Sequence, residues 1–191
     1  MPICSVDFPA CFFGALLLLT LPLNWLGAAI FAAAFHELCH ILAIRLLGGL
    51  VFSIGIHLGG AVIEAGSLSH SRELLCALAG PLGSAALVLL CPWFPRTAFC
   101  AFGHAVFNLL PLYPLDGGRA LRCLVSGLSE NNAVRICRGV EIITIGFLFF
   151  LAIVGTFFLH LGILPVLLTS SLLIKALTRK IPCKPPQLGV Q

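Results

Sequence analysis

Residues 25–47 form a long apolar run that contains three ionisable side chains within five residues: His36, Glu37 and His40. The run is long enough to cross a bilayer, which takes about 20 apolar residues in a helix. An ionisable group at this depth costs at least ~2.5 kcal/mol on insertion scales, so such groups are usually functional. The run therefore predicts a membrane helix with a polar site inside it.

The two histidines are spaced for metal binding. His36 and His40 are four residues apart, so on a helix they project from nearly one face, about 6 Å apart. The pattern His-Glu-x-x-His is typical of zinc sites in hydrolytic enzymes, and Glu37 lies where a carboxylate can accept a proton from water. The alternative is a chance match. We interpret residues 26–47 as a zinc helix that binds one Zn²⁺ per chain.

The composition predicts the environment. The chain is 60% hydrophobic and only 9% charged, with a mean hydropathy of +1.11, whereas charged residues make up about 25% of a soluble domain. We therefore predict an α-helical integral membrane protein with a single domain, residues 1–191. The expected six transmembrane helices lie near residues 10–25, 26–47, 73–91, 97–112, 139–159 and 161–177.

The basic residues predict an orientation. With six spans and a cytoplasmic N-terminus, ten of the eleven Lys and Arg lie on the cytoplasmic side, and only Arg96 lies outside. This bias is the positive-inside pattern, so the net charge of +4 indicates topology and not nucleic-acid binding. Asp7 precedes the first apolar run where a signal peptide would carry Lys or Arg, and we expect that run to remain as a span.

A catalytic zinc needs a third protein ligand, and Asp116 is the candidate. It follows Pro111 and Pro114, which cannot continue a regular helix, and precedes Gly117–Gly118. Residues 97–119 are therefore predicted to be a broken helix whose irregular part lines a wet cavity. The alternative is a simple turn outside the membrane.

Other candidate ligands remain open. Glu64 and Glu73 follow His40 at distances where a soluble zinc protease can supply a glutamate, and His104 lies one turn before Asn108. We interpret His104 as a helix-packing residue. The nine cysteines form no Cys-x-x-Cys pair, so neither a thiolate zinc site nor a disulfide framework is expected.

Residues 48–68 have a strand pattern. Bulky apolar residues alternate from Leu50 to Leu58, and Gly59–Gly60 separates them from a second short apolar segment. This pattern predicts a membrane-associated β-hairpin. Its edge could hold an extended substrate segment by strand addition, or the hairpin could only seal the cavity.

Two separated motifs together resemble a known family. His-Glu-Leu-Cys-His, followed later by Asn-x-x-Pro-x-x-Pro-Leu-Asp-Gly-Gly, is similar to the site-2 protease family of intramembrane zinc metalloproteases. The resemblance implies that His36, His40 and Asp116 bind zinc and that Glu37 is the catalytic base. It also implies that Asn108 contacts the substrate backbone or the developing oxyanion.

A third segment adds to this resemblance. Residues 79–84 resemble the family motif Ala-Gly-Pro-x-x-Asn, but Ser84 stands where the family usually has asparagine. Gly80 and Ser84 also form a small-x-x-x-small face, which permits close packing of membrane helices.

The resemblance implies an endopeptidase that cleaves a membrane-embedded or membrane-associated protein within the lipid bilayer, such as a sigma-factor precursor or another regulator. The six-span layout is similar to the stage IV sporulation protease branch, in a bacterial cytoplasmic membrane, with membrane regulatory proteins as further partners. We expect a minimal core without a PDZ or CBS domain. The competing hypotheses are an inactive scaffold of the same fold and a zinc-dependent transporter.

Overall fold

The computed structural model describes residues 3–6, 22–57, 60–66, 68–160 and 162–178. Three short strands and six helices lie in these ranges. The strands are β1 (Ile3–Val6), β2 (Val51–His57) and β3 (Gly60–Ala65), and the helices are α1 (Leu23–Leu46), α2 (His70–Val88), α3 (Pro95–Asn108), α4 (Asp116–Val125), α5 (Glu130–Phe158) and α6 (Leu164–Thr178). Most of the first expected span, residues 10–25, lies outside the described residues, as do Asp7 and residues 179–191.

The chain divides into two compact units between Leu109 and Leu110. In the first unit, α1, α2 and α3 pack against one another. Five of the six buried residues of α1 form a stripe with a spacing of four, which is close to the helical repeat. They are Ala28, Ala32, His36, His40 and Ile44, and the sixth is Leu26. Both motif histidines therefore lie on the face of α1 that is buried in the protein.

Many of the buried residues of this unit are small, and many of its large apolar residues are exposed. On α3, Ala101 is 0% exposed and its neighbour Phe102 is 57% exposed. On α1, Ala32 is buried while Phe31 and Leu38 are exposed. In a soluble protein large apolar side chains fill the core, whereas membrane helices pack through small residues and face lipid with large ones. The distribution fits a lipid environment.

The predicted β-hairpin is present. Strands β2 and β3 are antiparallel, with Ile54 opposite Ile63, and a register irregularity lies between Val51 and Ser53. Strand β1 pairs in parallel with the other edge of β2 and was not predicted from the sequence. Phe52 on β2 and Val62 on β3 are both more than half exposed. The hairpin therefore presents apolar side chains on its outer surface.

The second unit contains α4, α5 and α6, in which α5 packs against both other helices. A guanidinium N–H of Arg138, on α5, donates a hydrogen bond of 3.1 Å to the carbonyl of Leu177, near the end of α6. This bond satisfies one of the carbonyls that a helix leaves unpaired at its C-terminus.

Two helices among the described residues are long and apolar enough to cross a membrane, Leu23–Leu46 and Asn131–Phe158. Only 28% and 17% of their most apolar windows are buried, so they differ from core helices of a soluble protein. The expected spans at residues 73–91, 97–112 and 161–177 are present as helices but are shorter or less apolar. Helix α3 has 14 residues, about 21 Å at 1.5 Å per residue, which is less than the ~30 Å hydrocarbon core. Six membrane crossings remain a prediction.

Candidate metal centre

The two motif histidines are buried and face each other. His36 is 1% exposed and His40 is 5% exposed. Their Nε2 atoms lie 3.1 Å apart, and their ring centroids are 4.8 Å apart. The spacing of four residues on α1 produces this geometry, as the sequence predicted.

Helix α2 orients both imidazoles through their other ring nitrogens. Nδ1 of His40 lies 2.8 Å from the carbonyl oxygen of Cys76, and Nδ1 of His36 lies 2.9 Å from Oγ of Ser84. A carbonyl oxygen only accepts hydrogen bonds, so Nδ1 of His40 donates its proton to Cys76 and Nε2 presents a lone pair. A partner of this type is the usual second contact of a metal-binding histidine.

The spacing of the two Nε2 atoms fits zinc. Two nitrogens bound at 2.0–2.1 Å to a tetrahedral zinc lie about 3.4 Å apart, close to the 3.1 Å between His36 and His40. Two lone pairs that face each other at this distance repel unless a cation or a proton lies between them. The pair is thus arranged as two ligands of one ion.

Gly80 leaves the space in front of these nitrogens open. A Cβ atom at this position would lie 2.6 Å from Nε2 of His36 and closer still to Nε2 of His40. A Cβ at Gly83 would likewise overlap the Cys39 side chain on α1. The small residues of α2 therefore do permit close packing on α1, and Gly80 in addition keeps the ligand atoms accessible.

Ser84 has a role that the sequence alone did not reveal. It is fully buried, and its hydroxyl is the polar partner of His36. The signal that could have identified it is its position in the segment where the family usually has asparagine, another residue able to hydrogen-bond an imidazole. Serine is shorter than asparagine, so the contact depends on the close approach of α2 to α1.

We expect Ser84→Ala to lower zinc affinity by about 10- to 100-fold, the usual effect of removing such a partner of a metal-binding histidine. Without the hydroxyl, the ring of His36 loses the contact that fixes its orientation. Chelator competition on the purified protein measures this change. An affinity equal to that of the wild type would show that Ser84 only fills space between the helices.

Glu37 and His104 lie next to this pair. One ligand atom from each of His36, Glu37 and His104 lies within 4.8 Å of the others. The rings of His36 and His104 are edge to face, with centroids 4.5 Å apart. The carboxylate of Glu37 is thus close to an imidazole nitrogen, at a distance that a water molecule can bridge.

Asp116 is the first residue of α4 and is 7% exposed. A carboxylate is favoured at a helix N-terminus by the helix dipole, and Arg119 one turn later places Nη1 3.8 Å from Oδ1 of Asp116. A Cβ at Gly118 would lie 2.5 Å from the carbonyl oxygen of Leu112. Glycine is therefore required where this first turn meets the preceding loop.

His36 and His40 lie together in the first unit and could share a metal ion. Asp116, the third ligand expected from the sequence, lies in the second unit. Two imidazoles and one carboxylate form a donor set that zinc hydrolases use, and such a set leaves a fourth position for water. The residues present thus fit the metal that the sequence pattern predicted.

The remaining candidates have other surroundings. The amide of Asn108 donates a hydrogen bond of 3.0 Å to the backbone carbonyl of His104, one turn earlier on α3. Glu64 accepts a hydrogen bond of 2.5 Å from Ser53 across the hairpin. Among the described residues, neither candidate metal-binding group includes Glu64 or Glu73.

Comparison with known proteins identifies the fold. No protein-family model matches the chain, and no curated protein matches it in sequence. A solved structure, the site-2 protease from Methanocaldococcus jannaschii, is similar with a TM-score of 0.61 and 19% sequence identity. The alignment covers 93% of this chain and 91% of that one. The chain therefore has the fold of a site-2 protease, in agreement with the resemblance seen in its motifs.

Proposed function

We propose that this chain is a zinc-dependent intramembrane endopeptidase of the site-2 protease type. The observation that carries the proposal is the pair of buried histidines His36 and His40, whose Nε2 atoms lie 3.1 Å apart on a helix that is able to cross a membrane. The structural similarity to a solved site-2 protease supports a protease of this type. The substrate would be a protein embedded in or associated with the bilayer.

The roles of the side chains follow from their chemistry. A zinc ion held by His36, His40 and Asp116 would supply Lewis-acid activation of water and of the scissile carbonyl. Glu37 accepts the proton of the attacking water and later donates it to the leaving amine nitrogen. Asn108, at the end of α3 in the same unit, is assigned a contact with the substrate backbone or the oxyanion.

A peptide bond within a membrane helix is shielded by its own backbone hydrogen bonds, so the substrate must be extended locally before it is cut. Strand β3 is at the edge of the sheet among the described strands. We propose that this edge binds the extended segment by strand addition, because main-chain groups at a sheet edge pair with a strand of almost any sequence.

The two competing functions are less well supported. An inactive scaffold would have lost a ligand or the base, but both histidines, Asp116 and Glu37 are present. A transporter would distribute polar ligands along a path through several helices and has no need of Glu37 beside His36. The link to sporulation rests on the sequence resemblance alone.

We expect Asp116→Ala to bind zinc at least ~10-fold more weakly and to lose cleavage, because the set of His36, His40 and Asp116 then lacks its third protein ligand. The test is co-expression with candidate membrane substrates from the same genome, sigma-factor precursors among them. Cleavage is followed by immunoblot and zinc content by metal analysis. If the variant binds zinc as tightly as the wild type, Asp116 is not a ligand. If every substrate is cleaved outside its membrane segment, intramembrane proteolysis is contradicted.

We propose that the site opens to the cytoplasm. Arg45 lies in the last turn of α1, and His40 lies about 10 Å from that end at 1.5 Å per residue. Positive-inside counting makes this end cytoplasmic.

Cysteine labelling tests this orientation. In a chain whose other cysteines are replaced, exposed Cys91 reports on the outer side, and Ser69→Cys and Ser126→Cys report on the inner side. An impermeant thiol reagent applied to intact cells is expected to label Cys91 only. If the reagent labels positions 69 and 126 but not Cys91, the proposed topology is wrong.

A further inference from the structure

The imidazole of His104 lies beside the metal centre but has no role in the proposed mechanism. It projects from α3 so that its ring meets the ring of His36 edge to face, with centroids 4.5 Å apart. Its Nε2 atom is buried. The sequence predicted a helix-packing residue, but a packing role does not require an imidazole directly against a metal ligand.

His104 completes a second set of metal-binding side chains. Ligand atoms of His36, Glu37 and His104 lie within 4.8 Å of one another. Two imidazoles and one carboxylate are the same donor types as in the first set, and a His₂Glu site is a known zinc-binding arrangement. These residues come only from α1 and α3, which pack together within one unit.

The two sets share His36, so they exclude each other. Nδ1 of His36 is engaged by Ser84, which leaves Nε2 as its one metal-binding atom. One nitrogen lone pair binds one ion. An ion held by Glu37 and His104 therefore cannot be held by His40 and Asp116 at the same time.

We propose that His36, Glu37 and His104 form a second zinc-binding position at this centre. When zinc occupies this position, the protein is latent, that is, inactive as a protease. This inference rests on the proposed function, since latency follows from the use of Glu37. When its carboxylate binds the metal, it is no longer available to accept a proton from water. With zinc held instead by His36, His40 and Asp116, the Glu37 carboxylate would be available to accept the proton.

The experiment measures zinc affinity by chelator competition on the purified full chain in detergent. In the Asp116→Ala background, the first set is incomplete and the second holds the ion. There, His104→Phe, which keeps the ring volume without a ligand nitrogen, is expected to lower zinc affinity at least ~10-fold. In the wild-type background, the same change is expected to alter affinity less than about twofold, since the first set holds the ion.

A second variant and a control make the result specific. Glu37→Gln should follow the same pattern, because an amide oxygen is a poor zinc ligand. His70→Ala, at an exposed position on α2 outside both sets, should change affinity in neither background. Substitution with cobalt gives an independent measure, since the visible absorption of the Asp116→Ala protein should change when His104 is replaced.

The proposal is overturned if His104→Phe and Glu37→Gln leave the zinc affinity of the Asp116→Ala protein unchanged, or if each lowers affinity equally in both backgrounds. The proposed function is tested separately, by cleavage of a membrane substrate. If the wild type cleaves a substrate but the variants do not show the expected zinc affinities, only the second zinc-binding position is rejected. If the variants show these affinities but no substrate is cleaved, the second position is supported and the protease function is rejected.

Discussion

Glu37→Gln is expected to reduce cleavage by about 10²- to 10⁴-fold, the usual contribution of a general base, while zinc stays bound. Glutamine keeps the size and shape of the side chain but cannot accept the proton of water. The proposed ligands His36, His40 and Asp116 are unchanged. The measurement pairs cleavage of a membrane substrate with zinc content of the same purified preparation.

Cleavage and zinc content measured together distinguish a general base from a metal ligand at position 37. If both cleavage and zinc are lost, Glu37 is needed to hold the metal in the resting protein, and its assignment as base is not supported. Cleavage within tenfold of the wild type would exclude Glu37 as the base. Glu141→Gln is the matched control, because Glu141 lies on α5 outside both metal-binding groups, and it should retain cleavage.

The sequence predicted the parts of the site that depend on local geometry. The spacing of His36 and His40 on one helix determines that their imidazoles are neighbours, and Pro111 and Pro114 determine that α3 ends before Asp116. The candidate ligands could therefore be chosen from the sequence alone. The alternation over residues 50–58 predicted strand β2 for the same reason.

The contacts that orient the histidines could not be predicted in this way. Ser84 is 48 residues from His36 along the chain, and Cys76 is 36 residues from His40. Which residues of α2 face α1 depends on the rotation and close approach of two packed helices. A pattern of small residues indicates that two helices approach closely but not which atoms meet.

The sequence did not predict helix α4 or strand β1. Local conformational preference opposes α4 and does not reveal β1. Helix α4 begins with Asp116–Gly117–Gly118, and each glycine costs a helix about 1 kcal/mol relative to alanine. The first turn of α4 instead packs closely against the loop at Leu112, where only a glycine fits at position 118. Strand β1 has four residues and depends on pairing with β2, about 50 positions later.

Gly80→Ala is expected to lower zinc affinity by about 100-fold or more and to abolish cleavage with it. The added methyl group would lie within 3 Å of Nε2 in both His36 and His40, in the space that the metal needs. Local helix preference works in the opposite direction, because alanine in place of glycine stabilises a helix by about 1 kcal/mol. Loss of zinc would therefore come from the position of the methyl group and not from a weaker helix.

Gly103→Ala is the matched control, because Gly103 also lies within a helix of the same unit but has no atom within 4 Å of its added Cβ. It should keep wild-type zinc affinity and unfold at the same or a higher temperature. Both variants are measured by chelator competition and by thermal unfolding in the same detergent. If Gly80→Ala binds zinc as tightly as Gly103→Ala, α2 does not lie over the ligand nitrogens, and the contacts of Cys76 and Ser84 with the histidines are wrong as well, since all three depend on the same placement of this helix.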